Sequence, residues 1–197
     1  MLVLSLSALL ICCIATLIYF AYLVETQLNH LPDRIIYYSS NLREQGKILE
    51  DTVRRFILDR GEDTVSYHLV EPGAGLGRVA QYLARAFTWK DVQAVEVGPV
   101  ILTAGRLHAW LHRSRVHFIR QNIFTYSLPP RSFVYCYLSE EMVDRLYQTG
   151  QLKGQLVVCL TFTIPTLTPT ETIPLPGWQK RLTIYDLREK LEEGNLA

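Results

Sequence analysis

The chain has 197 residues, 49 % of them hydrophobic, enough for one ordinary domain with a sizeable core plus an appendage and too few for a second full domain. Its formal net charge is +1, with neither a basic stripe nor an acidic tail, so composition gives no reason to invoke nucleic acid. Cys12, Cys13, Cys136 and Cys159 lie apart from any metal-ligand spacing and read as buried reduced thiols in a reducing compartment, with no metal implied.

From Leu2 to Val24 there is no charged residue, and 23 residues of helix would span about 34 Å, enough for a hydrocarbon core. No Lys or Arg precedes the run, whereas Arg34, Arg43, Lys47, Arg54 and Arg55 follow it. The expectation is an uncleaved single-pass anchor over 1–24, with the rest of the chain on the cytoplasmic side. Residues 25–61 read as a connector. Within it Ile48, Leu49, Val53, Phe56, Ile57 and Leu58 recur at helical spacing, predicting a leading helix against the sheet of a domain over 62–197.

Tyr67 to Phe87, YHLVEPGAGLGRVAQYLARAF, organises that domain. Tyr67, Leu69 and Val70 suit a strand, Gly73, Gly75 and Gly77 break it, and Val79, Leu83, Ala84 and Phe87 return at helical spacing. Glycines there let a ligand approach the backbone, beside the free N–H groups of a new helix. The spacing is G-x-G-x-G, not the G-x-G-x-x-G of dinucleotide folds, and the strand ends in Glu71, which repels a pyrophosphate and pairs with an ammonium group.

Val92 to Val97 is a second strand carrying Glu96, about twenty residues beyond the loop, where a carboxylate accepts two hydrogen bonds from a ribose diol. A helix over Pro99 to His112 and a third strand over Val116 to Ile119 follow. Ser132 to Leu138 is a fourth strand, and Ser139 the N-cap of a helix over Glu140 to Tyr147. Leu156 to Phe162 is a fifth strand. Thr163 to Pro176, with four prolines, reads as a surface loop, Arg181 to Leu187 as a last strand, and Arg188 to Ala197 as a polar tail. The order predicts an α/β domain with a parallel sheet and an antiparallel edge.

The string E-P-G-A-G-L-G resembles motif I of the seven-strand, class I S-adenosylmethionine-dependent methyltransferases, which have a Rossmann-like sheet with helices on both faces. More narrowly, the N-terminal apolar span, E-V-G-P-V at Glu96, Y-L-S-E at Tyr137, F-T-I-P and I-Y-D-L are similar to the membrane-anchored lysine methyltransferases that include the enzyme modifying the c subunit of ATP synthase. The resemblance implies S-adenosyl-L-methionine as cofactor, held by Glu71, Gly73, Gly75, Gly77 and Glu96, with Asn122 at the adenine. It also implies a lysine acceptor on a membrane-associated protein beside the lipid bilayer. Relatives usually carry Asp at Glu71, an acid at Leu76 and a proline within the segment Leu138-Ser139-Glu140. Tyr137, at the end of the fourth strand, is the candidate for lining the amine, with Ser139 and Glu140 behind it, and Trp178 for roofing the channel. Methylation of a small or lipid-like molecule, and a non-catalytic or dinucleotide-binding protein of this fold, are the competing readings.

Overall fold

The computed structural model describes residues 11–20, 42–175 and 181–188. Most of the apolar run and Trp178 lie outside them. Residues 11–20 are helical and exposed, and among the described residues no helix is long and apolar enough to cross a membrane. Cys12 and Cys13 are exposed there, a correction to their reading as buried thiols. A helix with nothing described against it leaves apolar side chains and thiols alike uncovered.

The leading helix α1 (Leu42–Phe56) places Leu49, Val53 and Phe56 on its buried face, at the i, i+4, i+7 spacing of an amphipathic helix. A short 3₁₀ turn over Leu58–Arg60 follows it and closes at Gly61, whose φ of 77° suits glycine. Strands and helices then alternate: β1 (His68–Pro72), α2 (Arg78–Ala86), β2 (Asp91–Glu96), α3 (Pro99–Leu111), β3 (His117–Arg120), β4 (Ser132–Cys136), α4 (Glu140–Gln148) and β5 (Leu156–Leu160). A final pair, β6 (Glu171–Pro174) and β7 (Arg181–Asp186), completes one seven-stranded sheet in the order β3-β2-β1-β4-β5-β7-β6.

Strands β1 to β5 are mutually parallel, while β7 runs antiparallel to both β5 and β6. Side-chain alternation sorts the core into two layers. Leu69, Ala94, Phe133, Tyr135, Val158 and Ile184 pack under α1, α2 and α3. Val70, Val95, Val134, Cys136, Val157 and Tyr185 pack under α4 and its neighbouring loops. β4 and β5 are buried throughout, as strands covered on both faces must be.

Three expectations are corrected. Thr163 to Pro176 is not all loop, because Glu171–Pro174 forms β6, with Glu171 opposite Ile184 and Pro174 opposite Arg181. An edge strand tolerates proline, since its outer side needs no ladder N–H. The fifth strand stops at Leu160, because Thr161 turns to φ 68° and ends the extended run. The polar tail begins with a tethered residue: Arg188 donates to Asp186 Oδ2 at 2.6 Å, Glu62 Oε1 at 3.0 Å and the Phe56 carbonyl at 3.0 Å.

Candidate cofactor site

From β1 the chain winds outward through β2 to β3, then returns to β4 on the other side of β1. The winding reverses between β1 and β4, and in such sheets ligands bind outside the carboxyl ends of the strands at that reversal. The registers put three residues in one row there. Pro72 pairs with Val95 and Val70 with Val134, so one more step along β1 and β2, and three along β1 and β4, set Glu96, Gly73 and Tyr137 level. By alternation Glu71, Glu96 and Tyr137 face the α1–α3 side of the sheet.

The loop from Gly73 to Gly77 turns through glycines at φ 66°, 55° and 62°, all left-handed. Their surroundings separate their roles. A Cβ on Gly77 would stand 2.8 Å from Phe118 Cζ, so that glycine is needed for packing of the loop on β3. A Cβ on Gly75 would meet only Ile101 Cγ1, at 4.0 Å. A Cβ on Gly73 would stand 2.5 Å from Leu138 Cδ2, so Gly75 has the most open surroundings of the three.

Glu96 holds this loop in place. Its Oε2 accepts from the Gly75 N–H at 2.9 Å, and its Oε1 accepts from Val97 and Gly98 at 2.8 and 2.9 Å. Oε1 has both lone-pair directions taken and Oε2 keeps one, so the carboxylate is fixed in orientation and can still accept from one hydroxyl. Glu71 is only 7 % exposed, and one oxygen accepts from the Ala80 N–H in the first turn of α2 at 2.8 Å. Burial pushes its carboxyl up to about 8, against that N–H, and the charge of Glu96 adds to the rise. At that value the carboxyl is mostly protonated at neutral pH, and a neighbouring cation would return it to the ionised form.

Asn122 sits in the loop after β3, exposed, and its Oδ1 accepts from the Phe124 N–H at 3.0 Å. The side-chain oxygen thus builds the turn. Ser139 caps α4 as expected, accepting from Met142 N–H at 3.4 Å, while Glu140 accepts from the Thr163 hydroxyl at 2.6 Å. Tyr135 is wholly buried, whereas Tyr137 is half-buried, with its ring 6.5 Å from that of Phe162. Both lie on the same side of the sheet, Tyr135 within the core and Tyr137 packed against it.

Two residues escaped the sequence reading. Gln81, fully buried on α2, donates to the Leu76 carbonyl at 2.9 Å and meets His108 Nδ1 at 3.0 Å, tying the glycine loop to α3. Gln45 is 2 % exposed, and neither its amide nitrogen nor its oxygen has a partner among the described residues. Gly46 abuts the Tyr82 ring and Arg54 lies 5.7 Å from that of Phe87, so α1 and α2 run side by side in the same direction. Gln45 therefore stands beside the upper part of α2. A buried amide without partners is costly, which makes it a candidate ligand contact. The spacing Gln45, Leu49, Val53, Phe56 carried this signal, since it puts one amide on an otherwise apolar face.

No protein-family model matches the chain, and no curated protein matches it in sequence. In structure it is similar to an RNA methyltransferase from Salinibacter ruber solved with S-adenosyl-L-homocysteine, at TM-score 0.58 and 20 % identity, over 73 % of this chain and 92 % of that one. It is similar also to a protein from Pyrococcus horikoshii, at TM-score 0.51 and 15 % identity, covering 76 % and 92 % of the two chains. A putative methyltransferase from Escherichia coli superimposes at TM-score 0.50 and 14 % identity, covering 70 % and 84 %. The seven-stranded sheet, its reversal at β1 and β4 and these superpositions together show that the chain has the Rossmann-like fold of the S-adenosylmethionine-dependent methyltransferases.

Proposed function

We propose that the protein is an S-adenosylmethionine-dependent methyltransferase, anchored at a membrane through its apolar N-terminal run, that modifies a lysine of a membrane-associated protein. The observation that carries the cofactor is the pair of buried acidic side chains beside one glycine loop, Glu71 at the end of β1 and Glu96 at the end of β2. Glu71 takes the Ala80 N–H at the start of α2, the place where a dinucleotide would rest its pyrophosphate. That argues for a ligand with an ammonium end and no phosphate.

When bound, the cofactor supplies an activated methyl group on a sulfonium. In the proposed site Glu71 pairs with its ammonium group, Glu96 accepts from a ribose hydroxyl through Oε2, Gly75 leaves room for close approach, and Asn122 borders the adenine. Tyr137 and Ser139 line the acceptor side. A lysine amine has a reference pKa near 10.4, so only about one in a thousand is neutral near pH 7.4, and the half-buried mouth around Tyr137 favours the uncharged nucleophile by desolvation.

The lysine acceptor rests on the family resemblance, and the membrane on the uncharged run over Leu2 to Val24. The test is incubation of the detergent-solubilised full chain with labelled S-adenosylmethionine and host membranes. Label in methyl-lysine of a membrane protein supports the reading. Label confined to lipid or small molecules overturns the acceptor and leaves the cofactor assignment standing.

A further inference from the structure

The edge of the sheet opposite the glycine loop carries a second site. From Val97 to Ser139 the chain has no Asp or Glu and five arginines, although the whole chain is nearly neutral. Arg113 and Arg115, which follow α3, and Arg85, near the end of α2, line one cavity of about 340 Å³ together with Ser114 and Thr88. The Ser114 hydroxyl oxygen is buried and has no hydrogen-bond partner among the described residues. Neither Arg113 nor Arg115 forms an ion pair among the described residues. Arg113 also stands at φ 51°, a left-handed position that favours glycine, where it projects a guanidinium.

Beside this cavity α3 shows an apolar face left exposed among the described residues. Leu107, Trp110 and Leu111, at i, i+3 and i+4, are 52 %, 74 % and 62 % exposed. Cationic groups able to clasp a phosphate and an exposed Trp flanked by leucines are what a bilayer interface accommodates together, phosphate outermost and hydrocarbon beneath. A nucleic-acid backbone would use the arginines and leave the two leucines in water. The exposed apolar side chains of residues 11–20, among them Ile11, Leu17 and Phe20, point the same way.

We propose that this edge docks on an anionic phospholipid bilayer. Arg85, Arg113 and Arg115 hold a lipid phosphate with the Ser114 hydroxyl donating to it, while Leu107, Trp110 and Leu111 enter the interfacial layer. The glycine loop lies at the other end of five-residue strands, so docking leaves it roughly 15–20 Å above the lipid. This inference is independent of the methyl-transfer reading.

The test is amide hydrogen exchange on the full chain, reconstituted into phosphatidylcholine vesicles with and without phosphatidylserine. Exchange across 104–116 is expected to slow only with phosphatidylserine, and the slowing to weaken with added salt. Arg113→Gln with Arg115→Gln is expected to lower the docking equilibrium roughly 30-fold, since each basic group near such a surface is worth about fivefold. Both arginines are exposed, and unchanged exchange in β1 and β4 verifies the fold. No slowing, or equal slowing on neutral vesicles, overturns the proposal. So does the same protection from inorganic phosphate alone, from single-stranded RNA, or from raised protein concentration without lipid, which would mark a soluble anion, a nucleic acid or a second copy as the occupant.

Discussion

Replacing Glu71 by glutamine keeps the shape of the side chain and an acceptor for the Ala80 N–H, and removes only the charge. In the ligand-free protein the carboxyl is pushed up to about 8. Near pH 7 about nine molecules in ten therefore hold it protonated. An ammonium group beside it requires the ionised form, so binding releases close to one proton, and affinity rises by up to tenfold per pH unit until the pH passes about 8. Glu71→Gln loses a charge-assisted hydrogen bond of about 1.5–3 kcal/mol, roughly 10–100-fold in affinity, and the pH dependence disappears. The assay is calorimetric titration with S-adenosylhomocysteine across that pH range, in buffers of different ionisation enthalpy. Wild-type binding without proton release, or a glutamine variant that binds equally well, refutes the reasoning. The same carboxyl also sets a sign for stability. Its folded pKa lies above the ordinary 4.5, so its contribution is complete below pH 4.5 and is lost as pH rises to about 8. Ligand-free Glu71→Gln is therefore expected to melt at a higher temperature than wild type at the alkaline end, the gap closing toward the acid end.

Four further outcomes are expected. Gly77→Ala forces a Cβ to 2.8 Å from Phe118 at a left-handed φ, and should cost about 1–3 kcal/mol in denaturant unfolding. Gln45→Leu removes a buried amide that has no partner among the described residues, so it should raise the melting temperature of the ligand-free protein while weakening S-adenosylhomocysteine binding. A lower melting temperature would show that the amide has a partner after all. Arg188→Leu removes the charge-assisted bonds that hold Asp186 below its ordinary range against the pull of burial, while Arg60 stays 2.7 Å from Asp186 Oδ2, and should cost about 1.5–3 kcal/mol by chemical denaturation. Tyr137→Ala should lower methyl transfer strongly and leave S-adenosylhomocysteine affinity nearly unchanged, as the titration and a label-transfer assay together would report.

What could be read from the sequence was what has a local signature. Glycines at Gly73, Gly75 and Gly77 between a strand and a helix announce left-handed turns, and Glu71 and Glu96 stand where two strands end, so the loop and both carboxylates were legible before any coordinates. Ser139 as a cap and the alternation of strands and helices were legible for the same reason. The partner of Glu71 was not, because a backbone N–H at Ala80 leaves no mark on the sequence. β6 was hidden by the prolines around it and by Pro174 within it, which an outer strand tolerates and an inner one does not. Arg188 looked like tail because its partners Glu62, Tyr67 and Asp186 come together only when the sheet has formed. The differences among the glycines depended on Phe118 and Leu138, far along the chain, and on nothing within the motif.

The central claim is that the loop held by Glu96 binds an S-adenosyl ligand and not a dinucleotide, and the most direct measurement is a pair of calorimetric titrations of the full chain, one with S-adenosylhomocysteine and one with NAD. The account predicts a single saturable site for S-adenosylhomocysteine, no response to NAD, and severe weakening in Glu96→Ala, which takes away the ribose hydroxyl's acceptor together with the acceptor of the Gly75, Val97 and Gly98 N–H groups. Saturable binding of NAD with no heat from S-adenosylhomocysteine would contradict it.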